Sequence, residues 1–295
     1  MQQALGILIF WVCFSNLSFG QEDLLDLLGP TETKEYVSNA FKSPRVIGSH
    51  SMEMLAKGAL DFRILHRFGP ISSVENFFGL DNATMRMSFD YGITKNLTLG
   101  LARSTFKKEV DGFVKYRIVQ QSKGKNSFPI SIVWVSGMIY NTLKNPYSEI
   151  SSVDKPYKRM SYFHQIIIGR KFSENFSLQL SPLVVHSNLV SNILYPNTIY
   201  ALNLSARYKL TKRLALVIDY SPTLNKFLNR LGTMPLGIGV DIETGGHVFQ
   251  LHFSNAMGMN ERAYIAEDNG DWLKGQFQFG FNLSRVFQVG SRKKW

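Results

Sequence analysis

From residue 59 onward, apolar side chains recur at every second position, and no apolar run there is long enough for a membrane-spanning helix. Leu60, Phe62 and Ile64 alternate with Asp61, Arg63 and Leu65, and Met85, Met87, Phe89, Tyr91 and Ile93 alternate with Thr84, Arg86, Ser88, Asp90 and Gly92. Tyr200, Leu202, Leu204, Ala206 and Tyr208 do the same against Ala201, Asn203, Ser205 and Arg207. Near the C-terminus, Phe277, Phe279, Phe281 and Leu283 share one face, with Gln276, Gln278, Gly280, Asn282 and Ser284 on the other. Side chains alternate across a strand, so each segment has one apolar and one polar face. If such a chain enters a membrane it does so as a closed β-barrel, the one alternative to helices that satisfies every backbone N–H and C=O in lipid.

About twelve such segments are expected, each near the length a tilted membrane strand requires. They lie over 59–68, 83–93, 97–106, 113–121, 129–140, 160–170, 176–185, 199–210, 214–221, 236–243, 247–255 and 275–287. Tight connections at 94–96, 170–175, 211–213 and 244–246 alternate with longer ones at 69–82, 141–159, 186–198, 222–235 and 256–274. The connection at 107–112 is the brief exception on the long side. Short periplasmic turns and longer external loops are the habit of outer-membrane barrels. The expected fold is therefore an all-β, transmembrane, antiparallel up-and-down barrel, and an even strand count returns the C-terminus to the side where the chain starts. A soluble β-sandwich or a lipocalin-like barrel has the same period with the faces reversed. The aromatic apolar face, the long even strands and the final strand ending on Phe287 favour the membrane.

Residues 1–20 read as an export signal: Ala4 to Phe14 is an apolar core, and Ser18-Phe19-Gly20 supplies small residues before Gln21. The one cysteine, Cys13, lies inside it, so an exported chain holds no disulfide and no thiolate metal site. Residues 21–44 are expected to form a periplasmic or plug segment, 45–287 the barrel domain and 288–295 a basic tail. Val46 to Leu55 reads as an extra strand or a segment lining the lumen. Lys and Arg exceed Asp and Glu by 11. In an exported protein that balance points to phosphate-rich outer-membrane lipids rather than to nucleic acid, and a periplasmic protein partner is a further expectation.

Residues 242–255, Ile-Glu-Thr-Gly-Gly-His-Val-Phe-Gln-Leu-His-Phe-Ser-Asn, concentrate two histidines, an acid and a serine. His247 and His252 are an odd number of residues apart, so they point to opposite faces and do not share a metal. Thr244-Gly245-Gly246 is instead a hairpin turn, with glycine supplying positive φ, and His252 is expected as a hydrogen-bonded filler of the lumen. No phosphate-binding loop, zinc motif or nucleophile elbow is present; no cofactor, metal or catalytic residue is expected. A lipid hydrolase needs Ser and His on the lipid face, whereas His252 and Ser254 share the lumenal one. By parity the lumen receives Asp61, Arg63, Arg67, Arg86, Asp90, Lys115, Arg117, Arg207, Asp219, Asp241 and Glu243. Such charges either knit the barrel together or line a polar path.

Several stretches resemble one family of Bacteroidota β-barrel proteins known as a domain of unknown function. They are Gly239 to Phe253, Lys57 to Arg63, His66 to Gly69, Phe78 to Asp81, Asp90 to Thr94, Asp111 to Tyr116, Arg207 to Thr211 and Gly280 to Phe287. The resemblance runs from about Phe41 to Phe287. It implies an outer-membrane barrel and brings no activity. Two functions stay open: a narrow channel or transporter for small polar solutes, mildly favouring anions, and a non-conducting barrel that anchors or assists a periplasmic partner. A membrane-embedded lipid-modifying enzyme is a distant third.

Overall fold

Twelve antiparallel strands close on themselves, each paired with its neighbours in sequence and the last with the first. A computed structural model of the chain describes residues 33–71, 79–80, 82–144, 155–225, 232–244, 247–267 and 269–289. The expected export signal, the Gly245-Gly246 turn, residues 21–32 and the tail from 290 lie outside the described residues. The strands are β1 (Ala59–Pro70), β2 (Thr84–Thr94), β3 (Leu97–Ser104), β4 (Glu109–Val119), β5 (Ser131–Asn141) and β6 (Met160–Lys171). They continue as β7 (Phe176–Ser187), β8 (Thr198–Lys209), β9 (Leu214–Tyr220), β10 (Leu236–Thr244), β11 (His247–Ser254) and β12 (Gln278–Gln288).

Both chain ends of the barrel lie at the end of the short turns, as an even count demands. Two connections depart from the expected pattern. The one between β3 and β4 tightens to a 3-10 turn at Phe106–Lys108, where Lys107 and Lys108 take φ of 50° and 48°, so β4 begins at Glu109 rather than 113. The one between β4 and β5 is longer than its side predicts. There Ser122–Lys123 pairs with Glu35–Tyr36, a two-residue ladder that straps the incoming chain across the short-turn end.

The faces follow the alternation. Outward positions form a continuous apolar band, with Phe89, Leu101, Ile218 and Phe253 open to the surroundings. Aromatic residues gather at both ends of the strands, Tyr116, Phe172, Tyr208 and Phe287 at one and Phe68, Tyr140, Tyr200 and Phe279 at the other. An apolar belt between aromatic girdles is what a bilayer selects. Two polar side chains in the belt pair with each other: Ser136 Oγ lies 2.9 Å from His164 Nδ1 across β5 and β6.

The lumen is filled. Residues 40–57 enter from the short-turn end and fold back on themselves as a plug, with Val46 N–H donating to Ser49 O and Ser51 N–H to Pro44 O. A six-residue helix, α1 (Glu261–Ala266), reaches in from the β11–β12 connection and packs against β6, β7 and β8. Inward residues of β5 to β8 include an apolar cluster set among serines, glutamines and asparagines. Val133, Val135, Ile139, Phe163, Ile167 and Val185 join Phe41, Val46, Ile47 and Met52 of the plug and Tyr264 and Ile265 of α1 in one buried core. The plug thus includes residues 45–57, which the sequence assigns to the barrel domain.

Candidate functional site

Irregular backbone is tolerated at membrane depth only where its polar groups find partners, and here the wall's side chains supply them. Asp219 on β9 accepts three successive plug amides through one carboxylate oxygen: Ile47 N–H at 3.2 Å, Gly48 N–H at 2.9 Å and Ser49 N–H at 2.9 Å. Its other oxygen accepts from Ser49 Oγ at 2.9 Å and Asn203 Nδ2 at 2.6 Å. Gln250 donates to Val46 O at 2.7 Å and Asn282 to Ile47 O at 3.0 Å. Gln179 both accepts from Met52 N–H at 3.0 Å and donates to His50 O at 2.7 Å. Lys115 Nζ donates to Pro44 O at 3.1 Å and Glu53 O at 2.7 Å.

Most of the remaining inward charges form local pairs. Asp61 binds Arg63 at 2.5 Å and Ser284 at 2.6 Å, while Arg63 also reaches Ser43 Oγ of the plug at 2.5 Å. Arg207 meets Glu243 at 3.1 Å and Asp241 at 3.6 Å, and Glu243 continues to Lys42 at 2.8 Å. Arg117 donates to Lys95 O at the short-turn rim. Arg67 donates to Asn282 Oδ1 at 3.2 Å, so it is tied to the network through an amide. Asp90 lies directly across from Asp61 in the β1–β2 register. His252 points inward beside Gly239 and Gly280, but its ring nitrogens have no hydrogen-bond partner among the described residues, so packing alone holds it.

Two inward acids were not anticipated, because both precede the expected start of β4. Asp111 forms a two-point contact with Arg86, and Glu109 binds Arg262 and accepts from Asn260 Nδ2 at 2.7 Å. With both added, the inward set no longer leans basic, and the expected mild preference for anions loses its basis. Outside the strands, Glu261 of α1 meets plug residues Arg45 at 3.0 Å and His50 at 3.2 Å. Burial and the Arg45 guanidinium push the His50 imidazole down to about 3. For Glu261 burial opposes ionisation, but Arg45 and His50 outweigh it and hold the carboxyl below its usual range.

The Ser136–His164 contact has the reach of a nucleophile and base. It sits midway along β5, away from the depth of lipid ester bonds, and it joins two polar groups that lipid would otherwise leave unpaired. Among the described residues no group of three His, Cys, Asp or Glu could hold a metal. At the short-turn end, a cavity of about 420 Å³ is lined by Tyr36, Asn39, Lys123, Lys171 and Glu174.

A family model described as "Membrane bound beta barrel domain (DUF5777)" matches residues 41–287. No curated protein sequence matches the chain. Solved structures of similar fold include an outer membrane channel from Pseudomonas putida F1, at 14% identity and a TM-score of 0.48 over 80% of this chain and 98% of that one. The NanC porin gives 8% and 0.47 over 77% and 98%. The KdgM porin gives 8% and 0.46 over 78% and 99%. Likeness at this level carries nothing beyond architecture.

Proposed function

This chain belongs to the membrane bound beta barrel domain family, and from that premise we propose that it is an outer-membrane channel for small polar solutes, held shut by its own residues 40–57. The carrying observation is what fills the lumen. About eight strands enclose a space that wall side chains fill unaided, and a twelve-stranded barrel encloses more. Here the excess is taken up by a discrete hairpin held to the wall by hydrogen bonds and packing, and its withdrawal uncovers a charged and amide-rich wall. Short turns then face the periplasm, where the plug enters.

The apolar patch on the lumenal face of β5 and β6 favours a second reading. Val133, Val135, Phe163 and Ile167 would meet water if the plug left, which suits a permanent filling and a barrel that anchors a partner at the short-turn cavity. Planar-bilayer recording separates the two. Ser49 Oγ and Ser205 Oγ lie 3.4 Å apart, so Ser49→Cys/Ser205→Cys in a Cys13→Ser background offers a lock between plug and wall. The channel reading expects conductance bursts from the wild type, loss of them under oxidant in the double variant, and recovery with reductant. Silence from the wild type and from the reduced variant alike rejects the channel and leaves the anchoring role.

A further inference from the structure

We propose that the lumenal wall around Asp219 is a binding site for the main chain of a short peptide, and that the plug occupies it as an intramolecular ligand. This rests on the plug being able to leave, and it names oligopeptides as the class of solute. The plug is recognised chiefly through its backbone. Asp219 takes three successive N–H groups, as a peptide turn supplies them, while Gln250 and Asn282 take the carbonyls of residues 46 and 47 on the same turn. Gln179 reads one carbonyl and one amide two residues apart, and Lys115 reads two further carbonyls. The wall therefore presents acceptors and donors in the order in which a folded main chain presents donors and acceptors. A sugar offers hydroxyls, each both donor and acceptor, and gains nothing from that order.

The wall also keeps clear space for the occupant of this site: at Gly237 a Cβ would lie 3.1 Å from the Ile47 side chain. Plug side chains add to this: Ser49 Oγ reaches Asp219, Ser43 Oγ accepts from Arg63, Arg45 meets Glu261 of α1, and Val46, Ile47 and Met52 pack in the core. Main-chain recognition tolerates varied sequence, as a passage for mixed peptides requires.

The test uses the full chain with Cys13→Ser and a reporter, Val46→Cys, at a position that is 3% exposed when the plug is seated. Gly92→Ala is added to loosen the plug away from the site, because a tethered segment competes at an effective concentration of about millimolar. The probe is a synthetic peptide of residues 43–52, blocked at both ends. Its binding should displace the plug and raise the rate of maleimide labelling several-fold, with saturation. The same peptide N-methylated at the residues equivalent to Ile47, Gly48 and Ser49 lacks the donors Asp219 takes and should have no effect, as should maltotriose. Asp219→Asn should abolish the response to the parent peptide. A parent peptide without effect, or equal effects from the parent and N-methylated peptides, overturns the proposal. If Gly92→Ala nonetheless conducts in bilayers, the gating reading survives that failure.

Discussion

Arg45 of the plug and Glu261 at the start of α1 lie 3.0 Å apart with both side chains sealed from solvent. The segment that fills the barrel is thereby ion-paired to the connection between β11 and β12. Removing one partner strands the other as a buried charge, a change that costs about 3–5 kcal/mol, whereas replacing both with apolar side chains of similar volume is often near neutral. Arg45→Met and Glu261→Met should each speed labelling of a cysteine at position 46. The double variant Arg45→Met/Glu261→Met should fall well short of the sum. Additive effects would show that the two groups are not coupled.

Acid should loosen the plug through His50. A released His50 takes a proton below about pH 6.5, while the docked ring stays neutral down to about 3. Between those values the released state binds more protons, so falling pH favours release. Glu261 adds to this only below its ordinary range, and Glu53, which burial pushes up, works against it. The His50 share is isolated by comparison with His50→Gln. From pH 7 to pH 5 the wild-type plug should lose about 2 kcal/mol more than the variant's. Equal pH slopes in labelling rate for the two proteins would remove His50 from the account.

Neighbouring residues on β12 should respond differently to the same substitution. Phe281 faces outward between His66 and Leu251, so Phe281→Arg should cost about 2–4 kcal/mol of barrel stability. Asn282 faces inward, where it donates to Ile47 O at 3.0 Å and accepts from Arg67 at 3.2 Å. Asn282→Arg should leave the barrel folded and displace the plug, because it sets a second guanidinium beside Arg67 and removes a plug contact. Heat-modifiability on gels reads the first effect and cysteine labelling the second. A folded Phe281→Arg together with an unfolded Asn282→Arg would reverse the faces.

What the sequence makes legible is what the two-residue period carries: the strands, their faces and the inward Asp61, Arg63, Arg86, Asp90 and Asp219. Where both faces of a strand are apolar the period vanishes. Ile132-Val133-Trp134-Val135 gives no sign that Val133 and Val135 line a core inside the barrel. Asp111 and Glu109 were hidden by the turn before them, which places two lysines rather than a glycine at positive φ. The plug has no period of its own, and its hydrogen bonds come from residues far along the chain. One signal did exist, since Gly92, Gly169 and Gly237 occupy inward strand positions where a missing side chain marks a close approach.

Gly92 and Gly237, together with Gly48 of the plug, give a graded prediction. A Cβ at Gly92 would overlap the backbone carbonyl of Ala56, which has little freedom beside Gly58, whose N–H donates to Gly92 O at 2.7 Å. A Cβ at Gly48 would come within 2.8 Å of the Tyr264 ring, a side chain that is buried but able to pivot if α1 shifts. At Gly237 it would meet the Ile47 side chain, with Cδ1 and Cγ2 each 3.1 Å away, a looser contact that a small shift of that side chain relieves. Overpacking costs typically about 1–3 kcal/mol and is least where a flexible tip can move. Plug release should therefore rise in the order Gly237→Ala, Gly48→Ala, Gly92→Ala, while the unfolding temperature of the barrel changes little. Tyr264→Ala should relieve Gly48→Ala and leave Gly92→Ala unaffected. If all three substitutions instead lower the barrel's own stability equally, plug and wall form one cooperative unit, and withdrawal of residues 40–57 is no longer a separable step.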